Sequence, residues 1–206
     1  MKDANGVKNL VRVLREVGFQ DSFLVVSAMG KTTNAMERVV EAYFEDKSRV
    51  TTTIQEVVEY HEGILNELFA EDNHPIYQKV KLLFEEVKGF LAWNKSPKYA
   101  FVYDQVVGYG ELVSTTIVSH YLAQEGIPNT WQDVREMIKT DASYRDAKVN
   151  WEKSQQEVNA RLDKNQLNIT QGFLGSDDNN FTTTLGREGS DYTAAILAYC
   201  LNASSV

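Results

Sequence analysis

The chain has 206 residues, enough for one main domain with a sizeable core on the usual scale of roughly 100–200 residues per domain. Hydrophobic residues make up 43% and charged residues 24%, a globular balance that excludes a disordered or fibrous chain. A formal net charge of -8 speaks against a basic stripe of the kind non-specific nucleic-acid binding needs, so no nucleic-acid partner is expected and an anionic ligand requires local cations.

From the N-terminus, Val7, Leu10, Val11 and Leu14 share one helical face, which predicts a helix over 3–17 with Asp3 as its cap and Gly18 as its stop. The run Phe23-Leu24-Val25-Val26 is apolar without alternation, the pattern of a parallel strand covered on both faces. It leads straight into SAMGKTTN at 27–34, whose Gly-Lys-Thr invites comparison with a phosphate-binding P-loop. A P-loop needs a further glycine at the position held here by Val25, inside the strand, so that reading fails. Ser27, Thr32, Thr33 and Asn34 remain as polar groups at a strand end, where they either wall a small ligand or cap the next helix.

Between 33 and 93 no strand is evident. Two segments of helical period, Ile54 to Leu68 and Ile76 to Leu91, predict an antiparallel pair within a helical insertion of about 34–95. His61 lies on the apolar stripe and reads as a core histidine; it has no metal-ligand spacing to His74 or His120, so no metal site is expected among these side chains. A helix over 111–124 is followed by Gly126-Ile127-Pro128 and a short strand at 129–133. Residues 151–162 predict a polar helix, 167–173 a strand, and 175–181 a polar loop. TTTLGREGSDYTAAILAYCL then reads as a Thr- and Gly-rich turn opening an apolar helix, with Cys200 a core thiol rather than a nucleophile. No signal peptide or bilayer-spanning run is visible, so a cytoplasmic protein with no membrane partner is expected.

This alternation predicts an α/β fold with a mostly parallel sheet, helices on both faces, and a ligand at the carboxyl ends of the strands. There Gly186 and Gly189 admit close approach, the start of the last helix favours an anion, and Arg187 offers a planar fork for a carboxylate or phosphate. Asp191 either caps that helix or joins Arg187 in gripping a ligand with both an ammonium and a carboxylate. In VGYGELVS, Glu111 is either a first-turn acid favoured by the helix dipole or a receptor for an amino group.

SAMGKTTN, GYGELVS and TTLGREGSDYTAA, in this order, resemble the catalytic domain of the aspartokinases within the amino acid kinase family, and the likeness runs over nearly the whole chain. The resemblance implies a three-layer αβα sandwich in which residues 1–206 form a partial catalytic domain. It implies transfer of the γ-phosphoryl group of ATP to the side-chain carboxylate of L-aspartate, on the route to lysine, threonine and methionine. ATP and Mg2+ follow as cofactors, L-aspartate as substrate, and a homo-oligomer for the full-length protein. By matching position, Ser27, Thr33, Glu111, Arg187, Glu188, Gly189 and Ser190 would contact aspartate, with Arg187 on its α-carboxylate. Arg187 and Asp191 would be the catalytic pair, Asp191 organising a catalytic lysine and the amino group. The family's opening Lys-Phe-Gly-Gly-Thr-Ser strand, its Asp-Pro-Arg nucleotide segment and its regulatory ACT domains have no counterpart in these residues. The expectation is therefore an aspartate pocket with most of the ATP site missing and weak or no kinase activity. The alternatives are a non-catalytic binding or assembly module derived from that domain, and a kinase of another small acidic amino acid.

Overall fold

The computed structural model describes residues 1–70, 74–162, 165–186 and 189–206. Helix α1 (Ala4–Val17) begins where Asp3 accepts the Gly6 amide at 3.1 Å, and it buries Val7, Val11 and Leu14. At its end the Gly18 amide returns to the Leu14 carbonyl, as the sequence predicts. Strand β1 (Phe23–Val26) is followed by α2 (Thr32–Glu45), a 3-10 turn at Lys47–Arg49, α3 (Val50–Leu68), α4 (Pro75–Trp93) and α5 (Tyr99–Val107). Helix α6 (Tyr109–Gln124) feeds β2 (Thr130–Gln132), and α7 (Trp151–Arg161) precedes β3 (Asn168–Gln171). The described chain closes with β4 (Leu174–Ser176), β5 (Thr182–Thr184) and α8 (Gly189–Leu201).

Strands β1, β3 and β2 form a parallel sheet in the order β1-β3-β2, with Val26 in register with Gln171. Side chains alternate across a strand, so β1 serves two cores at once. Leu24 and Val26 pack into a large core shared with α1 to α6, whereas Phe23 and Val25 pack into a second core with Ile138, Val158, Leu174 and Ile196. That division makes the fold α/β with helices on both sides of the sheet, the predicted class. The central strand β3 is buried at every position, and its polar residues are satisfied locally. Gln171, for example, accepts the Val134 amide at 2.9 Å and donates to Thr115 at 2.9 Å.

The structure departs from the sequence expectations in three places. Strand β3 ends at Gln171 rather than at 173, because Phe173 turns out of the sheet with φ 73°. The predicted loop at 175–181 and the Thr-rich turn after it contain an antiparallel hairpin, with Leu174 paired to Thr184 and Ser176 to Thr182. Its strands are three residues long and its threonines are buried, with Thr183 bonded to Thr140 at 2.7 Å, so no alternating apolar pattern marks it. Helix α5 lies where no element was expected.

His61 is fully buried with Nδ1 2.8 Å from the Val57 carbonyl, and burial lowers its pKa to about 4. It is a neutral core residue. Cys200 is buried too, and burial raises its thiol pKa. Among the described residues no helix is long and apolar enough to cross a membrane.

Candidate functional site

The ends of β1 and β3 lie side by side, and the segments leaving them enclose a cavity of about 510 Å³ with α5, α6 and α8. Two close approaches build it. At Gly110 a Cβ would lie 3.1 Å from Ala28 Cβ and 3.2 Å from Thr32 Cγ2, so α6 can rest on the 27–34 loop only with no side chain at that position. At Gly172 a Cβ would lie 2.3 Å from Ser190 Oγ and 2.7 Å from Ser190 Cα, so the start of α8 closes directly over the end of β3.

The first approach places Glu111 beneath the Ser27–Ala28 turn. The residue is 3% exposed, Oε1 accepts the Ala28 amide at 3.3 Å, and Oε2 is buried without a partner among the described residues. Burial raises its pKa to about 8 from an ordinary value of 4.5, with the Ala28 amide opposing the shift. A buried polar atom left unsatisfied costs about 1–3 kcal/mol, so this oxygen, on a residue that lines the cavity, has unused hydrogen-bonding capacity.

The second approach brings Ser27 Oγ within 2.6 Å of Ser190 Oγ, a hydrogen bond between residues 163 apart in sequence. The Ser27 carbonyl accepts from Ser114 at 2.7 Å, which ties this wall to α6. Ser190 thus turns its hydroxyl to Ser27. Thr193 ties the start of α8 to the chain leaving β3, accepting the Phe173 amide at 2.9 Å and donating to the Gly189 carbonyl at 2.8 Å. Helix α2 starts at Thr32, whose hydroxyl donates to Met29 rather than to the cavity, while the next residue, Thr33, lines it.

Of the residues singled out from the sequence, Ser27, Thr33, Glu111, Gly189, Ser190 and Asp191 all line this one cavity. Arg187 and Glu188 lie outside the described residues. Sequence reasoning missed a second group on the wall: Glu37, Tyr103, Arg145, Phe173 and Thr184. Tyr103 donates to Glu37 at 2.8 Å, and burial together with that carboxylate raises its pKa well above the usual phenol range. Behind this wall the fully buried Asp104 accepts the Arg145 amide at 3.0 Å, the Thr184 amide at 2.9 Å and the Thr184 hydroxyl at 2.9 Å. Burial raises its pKa to about 6 against the pull of those bonds.

Arg145 is held there with φ 73°, a conformation that costs a residue with a Cβ on the order of 1–3 kcal/mol. Its guanidinium carbon lies 4.5 Å from the Tyr103 ring centre and 5.7 Å from that of Tyr99. Tyr99 and Tyr103 sit one helical turn apart in sequence, and that spacing was the available clue to an aromatic face on α5. For Arg145 no local pattern existed.

The described lining carries the acids Glu37, Glu111 and Asp191 and the cation Arg145. Acids suit an ammonium group, and Arg145 together with the N-terminus of α8 suits a carboxylate or phosphate. Among the described residues no group of three or more acidic, histidine or cysteine side chains could hold a metal ion.

A parallel α/β sheet with a mixed-charge cavity at its strand ends is an arrangement that suits a small zwitterionic or acidic ligand. The model of the amino acid kinase family matches residues 1–206, and the chain belongs to that family. Over 107 residues, 50% of the chain and 24% of the relative, it is 41% identical to lysine-sensitive aspartokinase 3 of Escherichia coli (strain K12). Over 195 residues, 94% of the chain and 42% of the relative, it is 25% identical to the aspartokinase of Chlamydia trachomatis serovar D. Among solved structures, E. coli aspartokinase III in complex with lysine and aspartate (T-state) superposes with a TM-score of 0.89 at 27% identity. The same enzyme in complex with aspartate and ADP (R-state) gives 0.88 at 27% identity. Each covers 99% of this chain and 45% of that one, so the chain spans less than half the length of these relatives.

Proposed function

We propose that the cavity binds L-aspartate and that residues 1–206 are the aspartate-binding portion of an aspartokinase catalytic domain, with a helical insertion at about 34–95. The activity proposed for the whole protein is transfer of the ATP γ-phosphoryl group to the side-chain carboxylate of aspartate, giving 4-phospho-L-aspartate for lysine, threonine and methionine synthesis.

One observation carries the reading: Glu111 lines the cavity and is buried, and among the described residues its Oε2 has no hydrogen-bond partner. The α-ammonium of an amino acid is a donor that satisfies it, and pairing with a cation returns the carboxylate to its ionised form. Ser27, Thr33 and Ser190 supply hydroxyls around the same volume, and Gly189 and Ser190 open α8, whose dipole favours an anionic group. Arg187 is assigned to the α-carboxylate and Glu188 to the same contact region, both by likeness to the family. Asp191, on the cavity wall, is assigned the organising role beside the ammonium. Solved relatives hold aspartate, and aspartate with ADP, which supports the choice of ligand and of nucleotide. When bound, ATP supplies the phosphoryl group, and Mg2+ offsets its charge. Mg2+ is commonly held by one or two carboxylates and the phosphates themselves rather than by a protein cage, so the absence of an acidic cluster among the described residues fits a metal that arrives with the nucleotide.

Calorimetric titration of the purified chain with L-aspartate in the absence of nucleotide tests the reading. Saturable binding is expected for the wild-type protein and loss of it for Glu111→Gln; a wild-type chain that does not bind aspartate overturns it.

A further inference from the structure

Arg145 belongs to no segment whose residues suggested a ligand, yet it lines the cavity beside Thr184. Its place is over-determined. The buried carboxylate of Asp104 accepts its backbone amide with both oxygens, at 3.2 and 3.0 Å, and the same carboxylate holds Thr184 on β5. Its backbone keeps a φ of 73° that glycine adopts freely and arginine does not. Its guanidinium stands over the Tyr103 ring at 4.5 Å, and no hydrogen bond or ion pair occupies its N–H groups among the described residues. Tyr103 is in turn fixed by Glu37. A cation held in a strained backbone conformation, backed by an aromatic face and left with open donors toward a cavity, has the form of an anion receptor.

Charge matching says which anion. Resting on the aspartate reading above, the ligand brings one ammonium and two carboxylates. Glu111 takes the ammonium and Arg187 the α-carboxylate, which leaves the side-chain carboxylate. Arg145 is the one cation of the described lining. We propose that Arg145 binds the side-chain carboxylate of the substrate and so sets the preference for a dicarboxylic amino acid over its amide. Asp104 and Tyr103 act as positioning residues, the first through the backbone of Arg145 and the second through its guanidinium.

The test is calorimetry with L-aspartate and L-asparagine on the wild-type chain, Arg145→Gln, Arg145→Lys and Arg145→Gly. Arg145→Gly removes the side chain and also relieves the backbone, and a melting curve of each variant separates a loss of binding from a loss of folding. Arg145→Gln and Arg145→Gly are expected to weaken aspartate by about tenfold or more while asparagine changes by less than about threefold, with Arg145→Lys in between. Equal weakening of both ligands, or aspartate binding within about threefold of wild type in Arg145→Gln, overturns the assignment and leaves the aspartate reading standing. A wild-type chain that binds neither ligand overturns both.

Discussion

Two carboxylates are buried at this site, and they are opposites. Asp104 is fully occupied: two amides and a hydroxyl converge on it from the 141–148 loop and from β5. Glu111 accepts the Ala28 amide, and among the described residues its second oxygen has no partner. Burial raises both pKa values, to about 6 for Asp104 and about 8 for Glu111, and the smaller shift belongs to the better-bonded group. A satisfied buried acid holds structure together, whereas an unsatisfied one stores an interaction for something that arrives later. Asp104 behind Arg145 therefore has the bonding of a scaffold residue, and the proposal gives Glu111 the part of a receptor.

Substitution at each acid should break this contrast in opposite directions. The largest effect is expected for Glu111→Gln, which removes the ammonium partner and lowers aspartate affinity by about a hundredfold or more, measured by calorimetry. Its melting temperature should hold or rise, because a costly buried acid has been replaced by a neutral group of the same shape. A melting temperature several degrees lower would make Glu111 scaffold after all. Gly172→Ala comes next: a methyl 2.7 Å from Ser190 Cα forces α8 off β3, and a loss of about 3 kcal/mol is expected in a denaturant titration. Asp104→Asn should cost about 2 kcal/mol, since an amide nitrogen replaces one of the acceptors for Arg145 and Thr184, and should lower the melting point by roughly 4–8 °C.

The smallest effect concerns pH and sharpens the reading of Glu111. On the proposed reading aspartate pairs with the ionised form, so its binding below a pKa of about 8 expels a proton. Affinity should then rise by up to about tenfold per pH unit between pH 6 and 7, level off near 8, and lose this slope in Glu111→Gln. The ligand-free protein behaves in reverse. Its unfolded chain ionises Glu111 near 4.5 while the folded chain holds the proton to about 8, so stability declines as pH rises through that window. Melting curves of wild type and Glu111→Gln between pH 5 and 8 compare directly, and parallel curves would sink the claim.

Much of the fold could be read from local pattern. The 3–17 helix with its Asp3 cap and the long helices before α5 repeat on a period that a single segment displays, and the strand after the first helix shows as an unbroken apolar run. The hairpin of β4 and β5 could not, because its strands are three residues long and its buried threonines are satisfied by Thr140 and Asp104 from elsewhere in the chain. At the site, glycine spacing and polar motifs drew attention to Ser27, Thr33, Glu111, Gly189, Ser190 and Asp191, and these meet in one cavity.

By itself, then, the sequence determined the strands of the parallel sheet and most of the helices, excluded a P-loop at SAMGKTTN through Val25, and marked the loops worth watching. Those are properties of neighbours along the chain. Only the tertiary structure decided that Ser27 meets Ser190 across 163 residues, that Asp104 reaches Arg145 and Thr184 across 41 and 80, and that one oxygen of Glu111 finds no partner among the described residues. Burial and partnership are properties of the packed whole. A carboxylate in a helix's first turn reads alike whether it ends in water, in a network or facing a ligand, and its surroundings settle which.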